Sequence, residues 1–193
     1  MAVELAYRRL TLEKFQSVTA TQEIWDDFVD CGLPGFTISE VLAMGANPSA
    51  ESQAKLIEAL QKQRQDPTQL DVSKDWHVLY YLLTGSAEIA EEHRPGQPLH
   101  NVIFGGIRTS VATGYGPVRY FDLPLVSEIA TALKSIGRTQ LVERFVPEEM
   151  SLLDIYAPPK MEEREVILNL FERLRSFFDE AVEAKEYVIA YGY

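Results

Sequence analysis

One stretch of this chain, Trp76-His77-Val78-Leu79-Tyr80-Tyr81-Leu82-Leu83, constrains the fold more than any other. Ser73 reads as the cap of a helix with Asp75 in its first turn, and Gly85 follows as a stop signal. A helix of this composition is apolar on nearly every side, so nearly every side must be covered. The rest of the sequence is therefore expected to build layers around a central helix.

Enough chain is present to do so. The 193 residues are 46% hydrophobic, 24% charged and 10% aromatic, close to the soluble globular average and unlike disordered, collagen-like or disulfide-rich chains. One domain over residues 1–193 is expected. The longest uninterrupted apolar run, Val78 to Leu83, is far below the roughly 18 residues that suggest a membrane span. Glu4 interrupts the apolar N-terminal stretch and Arg8-Arg9 follow it, the reverse of a signal peptide. Cys31 is the single cysteine, so no intramolecular disulfide can form. A soluble, cytoplasmic chain is expected.

The hydrophobic periods give the elements. Residues 3–10 alternate as a strand, with Val3, Leu5 and Tyr7 on one face. Thr11 caps a short helix carrying Leu12, Phe15 and Val18. A helix over 22–31 places Ile24, Phe28 and Cys31 inward and Glu23, Asp26, Asp27 and Asp30 outward. Thr37 and Glu40 fit a capping box, and Asn47-Pro48 opens a helix to about Gln65. Segment 22–66 reads as a peripheral helical insertion. Beyond the central helix, 86–98 reads as a loop, 101–104 as a short buried strand, and Gly114-Tyr115-Gly116-Pro117 as a turn into a strand at 118–121. Helices are expected at 123–136, 138–145, 147–155 and 161–184. In the last, Ile167, Leu170, Leu174, Phe177 and Ala181 form a stripe suited to lying on a sheet. Tyr187 to Tyr191 is apolar on both faces and should be an interior strand. The sum is a helix-rich α/β protein in three layers, a small mixed sheet with helices on both faces.

Charge narrows the function. Lys plus Arg number 18 and Asp plus Glu 29, for a net of −11, spread without an acidic tail or basic arm. No basic cluster exceeds Arg8-Arg9, so neither nucleic acid nor an anionic membrane is an expected partner. No cofactor is expected either, since GxGxxG and GK[ST] are both missing.

Several segments, taken together, resemble a known family. They are Leu5-Ala-Tyr-Arg-Arg-Leu-Thr, Lys74-Asp-Trp-His-Val-Leu-Tyr-Tyr-Leu-Leu-Thr-Gly85, Ile103-Phe-Gly-Gly106, Gly114-Tyr-Gly-Pro-Val-Arg-Tyr120, Asp154-Ile-Tyr156 and the final helix-strand pair. In that order they resemble the YfbM-like family, a bacterial group carried as a domain of unknown function. The resemblance implies a three-layer α/β fold and supplies no activity and no catalytic residues.

Chemistry must then be argued from side chains. His77 lies beside Trp76 and shares a helix face with Tyr80, Tyr81 and Thr84. Such a histidine is a core residue bonded to a carbonyl or carboxylate, a pocket-lining group, or a general acid or base. Tyr115 is displayed between two glycines. Pro117 has no N–H, which weakens any phosphate cradle there. Arg119 on a strand and Asp154 between apolar neighbours are expected to need one another, because unpaired buried charge is costly. Two readings follow. The favoured one is a non-catalytic binding protein for a basic protein partner, in one version neutralising it as immunity-type proteins do. Its surface would be Glu23, Trp25, Asp26, Asp27 and Asp30. The alternative is a small-molecule-binding protein or enzyme with a cleft lined by Trp76, His77, Tyr80, Tyr115, Arg119 and Asp154. Metal ligation is not expected, because His77, His93 and His100 have no ligand spacing.

Overall fold

The structure, a computed structural model, describes residues 3–30, 66–89 and 92–193. Five strands lie within them: β1 (Leu5–Leu10), β2 (Gln69–Ser73), β3 (Ile107–Thr113), β4 (Gly116–Phe121) and β5 (Tyr187–Gly192). The described helices are α1 (Leu12–Val18), α2 (Gln22–Asp30), α3 (Trp76–Thr84), α4 (Pro98–Asn101), α5 (Leu123–Ser135), α6 (Arg138–Arg144), α7 (Pro147–Leu152) and α8 (Arg164–Ala184). The expected capping box at Thr37, the helix from Asn47 and Cys31 lie outside the described residues, as do the side chains of Asp27 and Asp30.

The strands are ordered β2-β1-β5-β4-β3. Each neighbouring pair is antiparallel. The helix-rich α/β architecture with helices on both faces is as expected, but the strands do not mix directions. Between β4 and β5 the chain passes through two long helices, α5 and α8, and returns to the end of the sheet it left. A single crossover helix would have made the pair parallel.

Alternation along the strands builds the two cores. Leu5 and Tyr7 of β1, with Val188 and Ala190 of β5, face the larger core with α3, α5 and α8. Ala6 and Leu10, with Ile189 and Tyr191, face the smaller one with Val18 of α1 and Trp25 of α2. The interior position of β5 matches its apolar character on both faces. On α2 the buried side is one residue away from expectation. Trp25 is 1% exposed and meets Tyr191 edge-on at 5.4 Å, whereas Ile24 is exposed. Trp25 is thus part of the core and not part of a partner surface.

The central helix α3 buries every residue from Trp76 to Leu83. Its C-terminus is closed by Gly85, whose φ of 73° lets its N–H reach Tyr81 O at 2.7 Å. Its start differs from the sequence reading. Ser73 ends a strand, with φ 48°, and Asp75 holds the cap position. Strand β2 escaped notice because Leu70 and Val72 are its sole apolar residues, too short an alternation to register. Strand β3 escaped for a related reason: it is an edge strand that buries Val111 alone. The expected strand at 101–104 is the end of α4 and a following turn, in which Val102 and Ile103 are fully buried. A run as short as Val102-Ile103-Phe104 does not distinguish the two.

Candidate functional site

The cleft reading centres on position 77. The His77 ring is stacked on Trp76, centroids 5.1 Å apart and planes 5° from parallel. Its Nε2 lies 2.8 Å from Ala87 O, and its Nδ1 lies 2.8 Å from the Tyr156 backbone N. A carbonyl can only accept and an amide N–H can only donate, so the ring is the Nε2–H tautomer with both nitrogens engaged. Trp76 is tied down equally well. Its indole N–H donates to Val3 O at 3.0 Å, and its ring meets Tyr156 at 5.3 Å and Phe104 at 5.2 Å. Tyr80 is fully buried, its hydroxyl 2.8 Å from His100 Nδ1. These three side chains fasten the segments around 87, 100 and 156 to the central helix.

The other sequence candidates serve separate ends. Tyr115 sits in the two-residue turn of the β3–β4 hairpin, 39% exposed. Arg119 is buried and donates from Nη1 to Gly106 O at 3.3 Å. Asp154 is exposed in a left-handed turn after α7, with φ 56°. Of the ion pairs among the described residues, none joins Asp154 to Arg119. The expected pairing fails because Asp154 reaches water and needs no cation.

A concave surface does form elsewhere, between the approach to β2 and α8. Asp66, Pro67, Gln69, Leu70, Glu172, Arg173, Ser176, Phe177 and Glu180 line an open groove of about 400 Å³. Glu172, Ser176 and Glu180 recur every fourth residue on one face of α8. Phe177 and Leu70 supply its apolar floor, and Asp66 is held by Thr68, whose N–H and hydroxyl both donate to its Oδ1 at 2.8 and 2.7 Å. Behind the groove lies Arg9, 8% exposed. Its guanidinium stands 5.4 Å over the Phe177 ring, donates to Glu180 at 2.6 Å and to Pro67 O at 3.0 Å, and lies 3.5 Å from Glu186. Aromatic face, carboxylate and carbonyl thus hold one guanidinium already. Sequence reasoning missed this groove, although the Glu172-Ser176-Glu180 spacing on an anticipated helix marked half of it.

The second titratable contact to α3 carries a pH prediction. Burial, reinforced by the charge of Arg94, holds His100 below its ordinary value of 6.5. The folded chain then binds fewer protons at this ring than the unfolded chain, so its contribution is present above pH 6.5 and fades as pH falls through the lowered value. Urea unfolding at stepped pH should show stability declining below about pH 6.5 with a slope of less than one proton from this ring. His100→Asn, which keeps an acceptor for Tyr80, should decline less steeply over the same interval. Parallel curves for the two proteins would refute the assignment.

Among the described residues, no group of three or more His, Cys, Asp or Glu side chains is placed to hold a metal ion. No described helix is long and apolar enough to cross a membrane. Fold and surface together define a helix-rich α/β protein with a five-stranded antiparallel sheet between helical layers and an acidic-rimmed groove at its β2 side. The chain belongs to the family described as a domain of unknown function (DUF1877), whose model matches residues 1–191. Its fold is similar to that in the crystal structure of a protein of unknown function, YfbM, from Escherichia coli. That likeness has a TM-score of 0.55 at 16% identity and covers 97% of this chain and 98% of that one. The YfbM-like resemblance read from the sequence segments is therefore correct. No curated protein matches the chain.

Proposed function

We propose that this chain is a non-catalytic binding protein that takes a basic protein partner at the groove between the β2 approach and α8. One observation carries the reading: Asp66, Glu172 and Glu180 line the groove with Leu70 and Phe177, against Arg173 as the cation of the lining, while Glu172 also pairs with Arg175 of its own helix and Glu180 with Arg9. The seat of Arg9 on Phe177 and Glu180 supports it, because it is an intramolecular instance of the contact a partner's arginine would make. The net charge of −11 would steer a basic partner toward the molecule. Neutralisation of that partner, in the manner of an immunity-type protein, is the specific version of this reading. The alternative cleft near His77, Tyr115 and Arg119 has less support, since backbone groups occupy both His77 nitrogens.

The test uses a fluorescein-labelled peptide of alternating arginine and leucine, followed by anisotropy at low and high salt. Saturable binding is expected at low salt and loss of it at high salt. Glu172→Lys should weaken binding about tenfold or more. Glu23→Lys on α2 makes the same change in net charge and should leave the affinity nearly unaltered. Equal losses in the two variants, or no saturable binding by the wild type, would dismiss the groove.

A further inference from the structure

The lining of the groove sets a length as well as a charge. Glu172 and Glu180 are eight residues apart on α8. A helix rises 1.5 Å per residue, so their Cα atoms stand about 12 Å apart along its axis. Neither carboxylate is used up by its internal contact. Glu172 meets Arg175 through Oε2, and Glu180 accepts from Arg9 through Oε2, which leaves Oε1 of each without a partner among the described residues. Both side chains are partly exposed. A carboxylate held through one oxygen presents the other in a fixed direction, which lowers the ordering cost of a second contact. Between the two along α8, Ser176 is small and exposed, and Phe177 joins Leu70 as the apolar lining.

Resting on the groove reading above, we propose that the partner's bound segment is an extended chain of the pattern Arg-x-Leu-x-Arg. In an extended chain the first, third and fifth side chains point the same way, and four steps span about 13 Å. The outer arginines then reach Glu172 and Glu180 together, while the central leucine meets Phe177 and Leu70. A helical segment fits poorly. Spread over 12 Å, the volume of about 400 Å³ leaves a cross-section about 6 Å on a side, against the roughly 10–12 Å a helix occupies with its side chains. Arginine suits the outer positions because its planar fork is weakly hydrated and matches a carboxylate, as Arg9 already does at Glu180. Arg173 lines the same groove beside Glu172 and repels a further cation there, so the pattern is two spaced charges and not a continuous basic run.

Three labelled peptides of one composition test the spacing by anisotropy with the full chain at low salt. Each holds two arginines and one leucine among glycine and serine, so general attraction to the acidic protein is the same for all. They differ in placing the arginines adjacent, four apart around the leucine, or six apart. The four-apart peptide should bind about tenfold or more tighter than either isomer. Replacing one arginine of that peptide by norleucine, against Glu172→Gln and Glu180→Gln, adds the register: each glutamate should couple to one arginine, with fold-losses that multiply in the crossed combinations and fall short of multiplying in the matched ones. Equal affinity for the three isomers, or equal coupling of each glutamate to both arginines, would overturn the spacing while leaving the groove as a site for basic proteins. Absence of saturable binding for all three, and for the alternating peptide as well, would remove the groove reading and this proposal with it.

Discussion

Gly105→Ala is expected to lose about 4 kcal/mol or more of folding stability, a large part of the roughly 5–15 kcal/mol that holds a typical domain together. A Cβ at this position would lie 2.3 Å from Asn101 Cα and 2.4 Å from Asn101 Oδ1. Backbone is the obstacle, so no rotamer change relieves it. Asn101 cannot yield at low cost either. It is 1% exposed, and its side-chain amide accepts from Arg94 N–H at 2.8 Å and donates to Arg94 O at 2.9 Å. Moving it would strand buried polar groups and loosen the fold of residues 94–105, where His93 also reaches Gly105 O at 3.2 Å. The control is Gly114→Ala in the hairpin turn, where an added Cβ would meet nothing within 4 Å. It should cost less than about 1 kcal/mol. Urea midpoints of the two variants decide the matter; similar losses would mean that the close approach at Asn101 does not limit this site.

That pair of glycines shows what the sequence could and could not convey. Gly105-Gly106 stands out on reading, but the reason for Gly105 is the Cα of Asn101, four places back at the end of α4, in a stretch that resembles a strand. Long elements were legible because their apolar stripes are long: α8 with Ile167, Leu170, Leu174, Phe177 and Ala181, and β5 with its two-sided apolar run. Edge strands were not. Leu70 and Val72 in β2, and Val111 in β3, are all the burial those strands achieve, and the sheet supplies the rest of their order through backbone bonds that leave no residue signature.

The same division governs the site. The polar face of α8 was readable, but the opposite wall of the groove begins at Asp66 and depends on β2, so the concavity could not be assembled. His77 reads as a core, pocket-lining or acid–base residue, with partners left open. Those partners are the backbone atoms Ala87 O and Tyr156 N, the second 79 positions away. A backbone partner is compatible with any residue type, so a structural histidine and a catalytic one read alike. Arg119 and Asp154 illustrate the converse. Matching charges suggested a pair, and a left-handed turn placed the carboxylate in water instead.

The second large effect lies at the far end of the central helix. A helix leaves its last carbonyls without intrahelical donors, and in α3 these include the carbonyls of two buried residues, Leu82 and Leu83. Arg144, the last residue of α6, answers both: its Nη1 donates to Leu82 O at 2.7 Å and to Leu83 O at 3.0 Å. A guanidinium at this terminus also meets the negative end of the helix dipole. Arg144→Met keeps much of the aliphatic stem and removes the donors, leaving two buried carbonyls unpaired. The expected loss is about 2–4 kcal/mol, read from urea unfolding. Arg144→Lys retains a charge but not the planar fork and should recover part of that loss. The local readout separates capping from general packing. Gly85 N–H, bonded to Tyr81 O at 2.7 Å in the same turn, should exchange faster in Arg144→Met than amides at the Trp76 end of α3. A loss spread evenly along the helix would instead make Arg144 a packing residue whose charge is incidental.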